Sequence, residues 1–282
     1  MTATRDAAIS PFVAWAKARL SPNMSKALED YSAGFQRHVL WTSLAWFEIK
    51  VKYRRSVLGP FWITLSTAIA IATIGPIYAR LMGSSMDDYF AYLATSIVLW
   101  NFLSAAINDN CSSFIAAEGM LKDVKLPLLL FILKDLYRNI ILLLHNSVIL
   151  LILMYFFTFI VNIPLFLLCF VIVVLNLFWV GVVLAIICTR FRDVGQIITS
   201  LVQVAFFLTP VMWKPSMLGA GGRHLVVDLN PFYYLIDLFR SPLLTGSVDI
   251  GHLLICTASA ILGNAFAFWF FSKKRARVAY WL

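Results

Sequence analysis

Thr199, Gln203 and Phe206 fall on one face of a helix, with Phe207 adjacent, and Trp62, Ser66 and Thr73 share a face in an earlier apolar segment. Hydroxyls and amides beside flat aromatic rings suit a sugar chain, whose faces are apolar and whose edges form hydrogen bonds. The same residue types also serve ordinary helix packing through small polar side chains. Other chemistry is missing. The chain holds no GxxxxGK[ST] phosphate loop, GxGxxG fingerprint or HExxH, and no Ser/His/Asp grouping stands out, which points away from an enzyme. Cys111, Cys169, Cys188 and Cys256 are widely spaced in or beside apolar runs, with no CxxC pair or histidine cluster, and read as lipid- or core-facing fillers rather than metal ligands. Acids sit at the ends of apolar segments (Asp87, Asp88, Asp109) or in loops. His145 is the one ionisable residue well inside a segment, and reads as a hydrogen-bonded structural residue rather than a proton relay. Any transport work must therefore draw its energy from a partner.

The elements that position these residues are membrane helices. With 61% hydrophobic and 13% charged residues and a mean hydropathy of +0.84, a soluble fold could not hide the apolar surface, so the bilayer is the solvent. Nothing in the first 59 residues reads as a removable secretory signal. Lys50, Lys52, Arg54 and Arg55 end abruptly at Gly59-Pro60, where an apolar run to Met82 begins, fixing one end of a span on the cytoplasmic side. Spans are expected at about Pro60–Met82, Tyr89–Ile107, Ile140–Val161, Pro164–Cys188, Ile197–Trp213 and Ile250–Phe271, with both termini inside. On that topology 19 of the 23 Lys and Arg residues are cytoplasmic, and only Arg80, Lys214, Arg223 and Arg240 lie outside. The net charge of +9 is then topology and not a nucleic-acid footprint. The third and fourth spans are rich in Leu, Ile, Val and Phe and fit lipid contact. The first carries Thr64, Ser66, Thr67 and Thr73, the fifth Thr199, Ser200, Gln203 and Thr209, and these two read as inner helices.

Three regions are expected: a cytoplasmic N-terminal region over 1–59, a six-span domain over 60–271 and a cytoplasmic tail over 272–282. In the first, Leu40, Leu44, Phe47 and Val51 form a stripe, with Arg37, Glu48, Lys50 and Lys52 mostly off it and Trp41 and Trp46 beside it, which predicts a helix in the membrane interface or packed on another protein. Between the second and third spans, 116–127 predicts a short polar helix before Pro127, a natural contact for a partner. After the fifth span, glycines 219, 221 and 222 and Pro215, Pro231 and Pro242 surround an amphipathic piece anchored by Tyr233 and Tyr234, suited to re-entrant or interfacial helices.

Read in order, YRRSVLGPFW (53–62), KDVKLP (122–127), TRFRDV (189–194), FFLTPVMW (206–213) and LNPFYYLIDLFRSPLL (229–244) resemble the membrane subunit of the ATP-binding-cassette exporters that move completed lipid-linked polysaccharides (O-antigen, capsule, teichoic acid) across the bacterial inner membrane. The resemblance covers roughly residues 35–275; Leu126 departs from it, since the family more often has an aromatic residue there. It implies an all-α, multi-pass, type-2 ABC exporter-like permease in the inner membrane, acting as a homodimer with two cytoplasmic ATPase subunits that bind ATP and Mg, so this chain carries no cofactor of its own. It implies that Glu118, Lys122, Asp123 and Lys125 form the ATPase-coupling helix, and that Trp41, Trp46, Tyr53, Arg54 and Arg55 form the cytoplasmic entrance. The first and fifth spans, with Trp62, Ser66, Thr73, Thr199, Gln203, Phe206 and Phe207, would line the conduit, and Trp213, Pro231, Tyr233, Tyr234 and Arg240 would belong to its outer gate. O-antigen is the expected cargo, ahead of capsule or teichoic acid. A drug or small-lipid exporter, or a membrane-embedded enzyme of polysaccharide assembly, are the competing readings; no pair of membrane-edge carboxylates supports the last.

Overall fold

The computed structural model describes residues 21–83, 85–217 and 224–282, and all regular structure among them is helical. Arg223, glycines 219, 221 and 222 and the first 20 residues of the N-terminal region lie outside the described residues. The order is α1 (Pro22–Gln36), α2 (His38–Lys52), α3 (Phe61–Leu81), α4 (Met86–Ala116), α5 (Glu118–Asp123), α6 (Leu129–Phe156), α7 (Ile163–Arg190), α8 (Arg192–Leu208), short turns over Pro215–Met217 and His224–Asp228, α9 (Pro231–Leu244) and α10 (Ile250–Trp281).

Local chemistry sets the helix starts. Gly59 adopts φ +56, a left-handed conformation that favours glycine, and turns the basic segment into Pro60 and α3. Ser85 caps α4 by accepting from the Asp88 amide at 3.2 Å, with Asp87 and Asp88 in the positive first turn. Asn162, Asn230 and Asp249 cap α7, α9 and α10 in the same way. The cap of α6 comes from a distant part of the chain: buried Asp30 of α1 accepts from the Leu129 amide at 3.2 Å and from Arg275 Nε of α10 at 2.8 Å. One carboxylate thus ties three helices together.

Among the described residues, five helices are long and apolar enough to cross a membrane: α3, α4, α6, α7 and α10. Helix α8, on the segment expected as a fifth span, has 17 residues, short of the roughly 20 that cover the hydrocarbon core. Several boundaries move outward from the expected ones. Helix α4 extends well past Ile107, α6 begins at Leu129 rather than Ile140, and α10 runs unbroken to Trp281, so residues 272–281 continue the last helix.

The core is organised on α4. Of its most apolar stretch 78% is buried within the protein, against 50% for α7, 28% for α6, 22% for α3 and 17% for α10. Helices α3, α6, α7, α8 and α9 all pack on α4, and α10 packs mainly on α7. At that second contact a Cβ on Gly263 would lie 2.4 Å from Trp179, so only glycine lets the indole sit against the helix. Within one chain α3 and α8 are peripheral, while the aliphatic α7 is half core, because lipid and protein interior select the same apolar residues and composition does not separate them. The four cysteines are all buried, which makes them core-facing.

Candidate functional site

Helices α4 and α8 form an open groove of about 520 Å³. Trp100, Asn101, Ser104 and Asn108 of α4 form one wall; Thr199, Val202, Gln203, Phe206 and Phe207 of α8 form the other. Helix α8 shows one buried residue, Val202, so it lies on the surface of α4 rather than inside a bundle. Thr199 Oγ1 donates to Asn108 Oδ1 at 2.8 Å, and Phe206 packs on Trp100 with ring centroids 5.4 Å apart. Phe207, edge-on to Phe206, is 72% exposed. The groove therefore alternates amides and hydroxyls with aromatic rings, and one ring stands free. The α8 half of the expected constellation is brought together; the α3 half is not. Trp62, Ser66 and Thr73 lie on an exposed face of α3, with Ser66 and Thr73 hydrogen bonded back to Ile63 and Ile69 of their own helix. The inward polar residues of α3 are Thr64, bonded to Asn146 at 3.3 Å, and Thr67, which accepts from Asn101 at 3.3 Å.

Asn101 also lines a second cavity of about 380 Å³ between α2, α3, α4 and α6. Its wall is an ionic network that the sequence reading placed elsewhere. Glu48 Oε1 pairs with Lys134 at 2.5 Å, and Oε2 pairs with Arg138. Arg138 also reaches Asp109 at 2.9 Å and Asp135 at 3.1 Å. Asn139 donates to Asp109 at 2.9 Å. Two of the cations counted as loop charges are thus inside α6, and His145 is not the only ionisable group there; it does bond to the Ile141 carbonyl, at 2.8 Å. Burial is tolerated because each charge has a partner. Glu48 turns the charged side of α2 toward α6. Phe47 and Val51 are exposed, whereas Ala45 and Ile49 are buried and Trp41 meets Tyr137 edge-on at 5.3 Å. A charged residue is discounted in an apolar stripe, yet here it is the anchor. Trp46, Arg54 and Arg55 are exposed at this end, and Tyr53 is half-buried.

At the opposite end, Tyr89 and Tyr92 of α4 hold the chain as it leaves α8. Tyr89 donates to the Met212 carbonyl at 2.5 Å, and Tyr92 to those of Pro210 and Trp213 at 2.8 and 2.9 Å. Arg240 is buried over the Tyr92 ring at 4.1 Å and donates to the Pro210 carbonyl at 3.3 Å and to Asp237 at 3.1 Å. Burial works against ionisation of Asp237, but a 2.7 Å contact with His252 and the Arg240 charge hold its carboxyl below the usual range. Trp213 donates to the Phe207 carbonyl at 3.2 Å, directly beside the groove. Pro231 opens α9, Tyr233 is buried, and Tyr234 donates to the Asp228 carbonyl. Arg240 is therefore a clamp inside this end rather than a free surface charge.

Helix α5 covers Glu118–Asp123 and has no buried residue. Lys122 pairs with Glu118 at 2.5 Å and donates to the Leu282 oxygen at 3.2 Å. The Lys122 hydrogen bond and charge hold the Glu118 carboxyl below the usual carboxylate range. Arg192, at the start of α8, stands 3.9 Å from Glu118.

A helical protein with several membrane-length helices and an open, aromatic and amide-lined groove has the architecture of a membrane permease. The profile of the family described as ABC-2 type transporter matches residues 39–244, and the chain belongs to that family. It is a transport permease and not an enzyme. It is similar to the O-antigen export system permease protein RfbA of Klebsiella pneumoniae, 19% identical over 238 residues that cover 82% of this chain and 90% of the relative. Its likeness to the RfbA permease of Myxococcus xanthus is 22% over 226 residues, or 73% and 81% of the two chains.

Proposed function

We propose that this chain is the permease subunit of an ATP-driven exporter that moves lipid-linked O-antigen across the bacterial inner membrane. Two copies face each other across a conduit, and each docks a cytoplasmic ATPase subunit that carries ATP and Mg. Helix α8 and the turns that follow it to Trp213 together make the sixth crossing, so both termini are cytoplasmic. Helix α5 seats on the ATPase, α2 with Trp41, Trp46, Tyr53, Arg54 and Arg55 forms the entrance, and α9 with Trp213 closes the outer end. The likeness to permeases named for O-antigen export supports the cargo.

The observation that carries the reading is the groove between α4 and α8. It is polar, aromatic and open along one side. Lipid tails would leave the Gln203 amide poorly served, whereas a sugar chain offers it hydroxyls and presents apolar ring faces to Phe206 and Phe207. A second copy covering α3 and α8 would close it and turn these peripheral helices into inner ones. Trp62, Ser66 and Thr73 would then face the conduit from the exposed side of α3.

Substitution of the two rings tests this. Phe207→Leu keeps bulk and loses the flat face, Phe207→Ala loses both, and Phe206 is treated likewise. A stacking contact is worth on the order of 1 kcal/mol by analogy with aromatic pairs, or about fivefold in rate. We expect surface polysaccharide per permease molecule to fall about fivefold in Phe207→Leu and further in Phe207→Ala. Wild-type export in all four variants at equal permease abundance would remove the groove from the sugar path.

A further inference from the structure

The C-terminal ends of α7 and α10 enclose a recess of about 400 Å³ whose charged lining is Arg190, Lys274 and Arg277, set against Ile187, Phe270 and Trp281. Three other cations described near this end have a carboxylate. Arg275 pairs with Asp30, Lys122 with Glu118, and Arg192 faces Glu118. Arg190, Lys274 and Arg277 have no ion pair among the described residues. Three like charges converge on one hollow without a counter-ion, and Lys274 is half-buried there. Arg190 is held between Trp281 and Phe191, 5.4 and 5.6 Å from their ring centroids, which fixes the guanidinium and strips part of its water.

The recess is also the foot of an apolar track. One turn further into the membrane along the same face of α10, Phe266 stacks on Phe270 at 5.9 Å and 14°, and Phe266 and Leu262 are exposed. An acidic protein would match the three charges but not this stripe, and a free anion would leave it bare. A ligand with an anionic head and hydrocarbon tails satisfies both. We infer that this recess binds the phosphate head of an anionic membrane phospholipid, with an acyl chain lying along Phe270, Phe266 and Leu262. The inference rests on the proposed topology, which sets these helix ends at the cytoplasmic leaflet, where anionic lipids attract clustered Lys and Arg. Because Lys122 of α5 bonds to Leu282, next to Trp281, a bound lipid would stand beside the helix proposed to meet the ATPase.

The test uses the purified full-length permease in mixed micelles and counts bound dioleoylphosphatidylglycerol by native mass spectrometry. Dioleoylphosphatidylcholine, inorganic phosphate and farnesyl diphosphate serve as comparison probes. The variant Arg190→Gln/Lys274→Gln/Arg277→Gln is set against Lys26→Gln/Arg37→Gln/Lys50→Gln, which removes the same charge elsewhere on the proposed cytoplasmic side. A charge near an anionic surface is worth about fivefold in affinity, so the first variant should bind phosphatidylglycerol on the order of a hundredfold more weakly. The second should retain wild-type binding, and phosphatidylcholine should not compete. Equal retention in both variants, or equal loss in both, would overturn the site. So would displacement by inorganic phosphate at equal concentration, which marks a free-anion site, or preference for farnesyl diphosphate, which marks a cargo site. Thermal unfolding in phosphatidylcholine alone checks that the first variant is folded. Orientation is read separately, from Ala276→Cys and an impermeant thiol reagent on intact cells. Labelling from outside would sink the topology while leaving the micelle result standing.

Discussion

Arg138 touches three carboxylates, and that count makes it the most consequential charge in the membrane domain. Glu48, Asp109 and Asp135 surround it, while Lys134 reaches only Glu48 and Asp135. Without Arg138, Glu48 and Asp135 share one lysine and Asp109 has no cation. Without the Glu48 charge, two cations still face two acids. A buried charge stripped of its partner costs about 3–5 kcal/mol, so Arg138→Gln should destabilise by that amount and Glu48→Gln by clearly less, read as thermal unfolding in detergent. Equal losses would mean that the network does not act as a charge-balanced unit. The sequence hid this cluster for a definite reason. An apolar window that opens at Ile140 leaves Lys134, Asp135 and Arg138 outside the span, and a charged Glu48 is discounted in an amphipathic stripe. Asp30 is hidden more deeply, since its partners Leu129 and Arg275 are distant in the chain and no local pattern announces them.

At the scale of elements, local signals served well where the chemistry was local. The basic burst that ends at Gly59-Pro60 marks α3, which starts at Phe61. Within one chain α3 and α8 are peripheral, and their expected place as inner helices depends on the second copy proposed to cover them. Helix α4 carried the stronger signal, with Asn101, Ser104 and Asn108 on one face, and it is the helix on which the others pack. Helix α5 combines an exposed surface with the 118–122 ion pair and the contact to the end of α10. Lys122→Glu/Lys125→Glu reverses one charge on a helix that buries nothing and one exposed charge just beyond its end, so the fold should survive and the partner complex should not. We expect ATPase co-purification and export to fall together at unchanged permease abundance. Normal co-purification with normal export would remove α5 from the ATPase contact.

At the scale of the whole molecule, burial is uneven. A dense centre on α4 and α7 is flanked by α3 and α8, whose outward faces carry Trp62, Ile69, Ile77, Ile197, Leu201 and Phe207 exposed. On the proposed reading those faces are completed by a second copy, the groove becomes a closed path and the Tyr89, Tyr92 and Arg240 clamp holds its outer end rigid. The direct measurement places p-benzoylphenylalanine at Phe207 in the groove and, as a control, at Ile261 on the outward side of α10, then irradiates cells that are exporting polysaccharide. The account predicts a permease adduct at position 207 that reacts with antibody to the surface sugar, and none at position 261. A sugar-free adduct at 207, or equal sugar labelling at both positions, would contradict a polysaccharide path between α4 and α8.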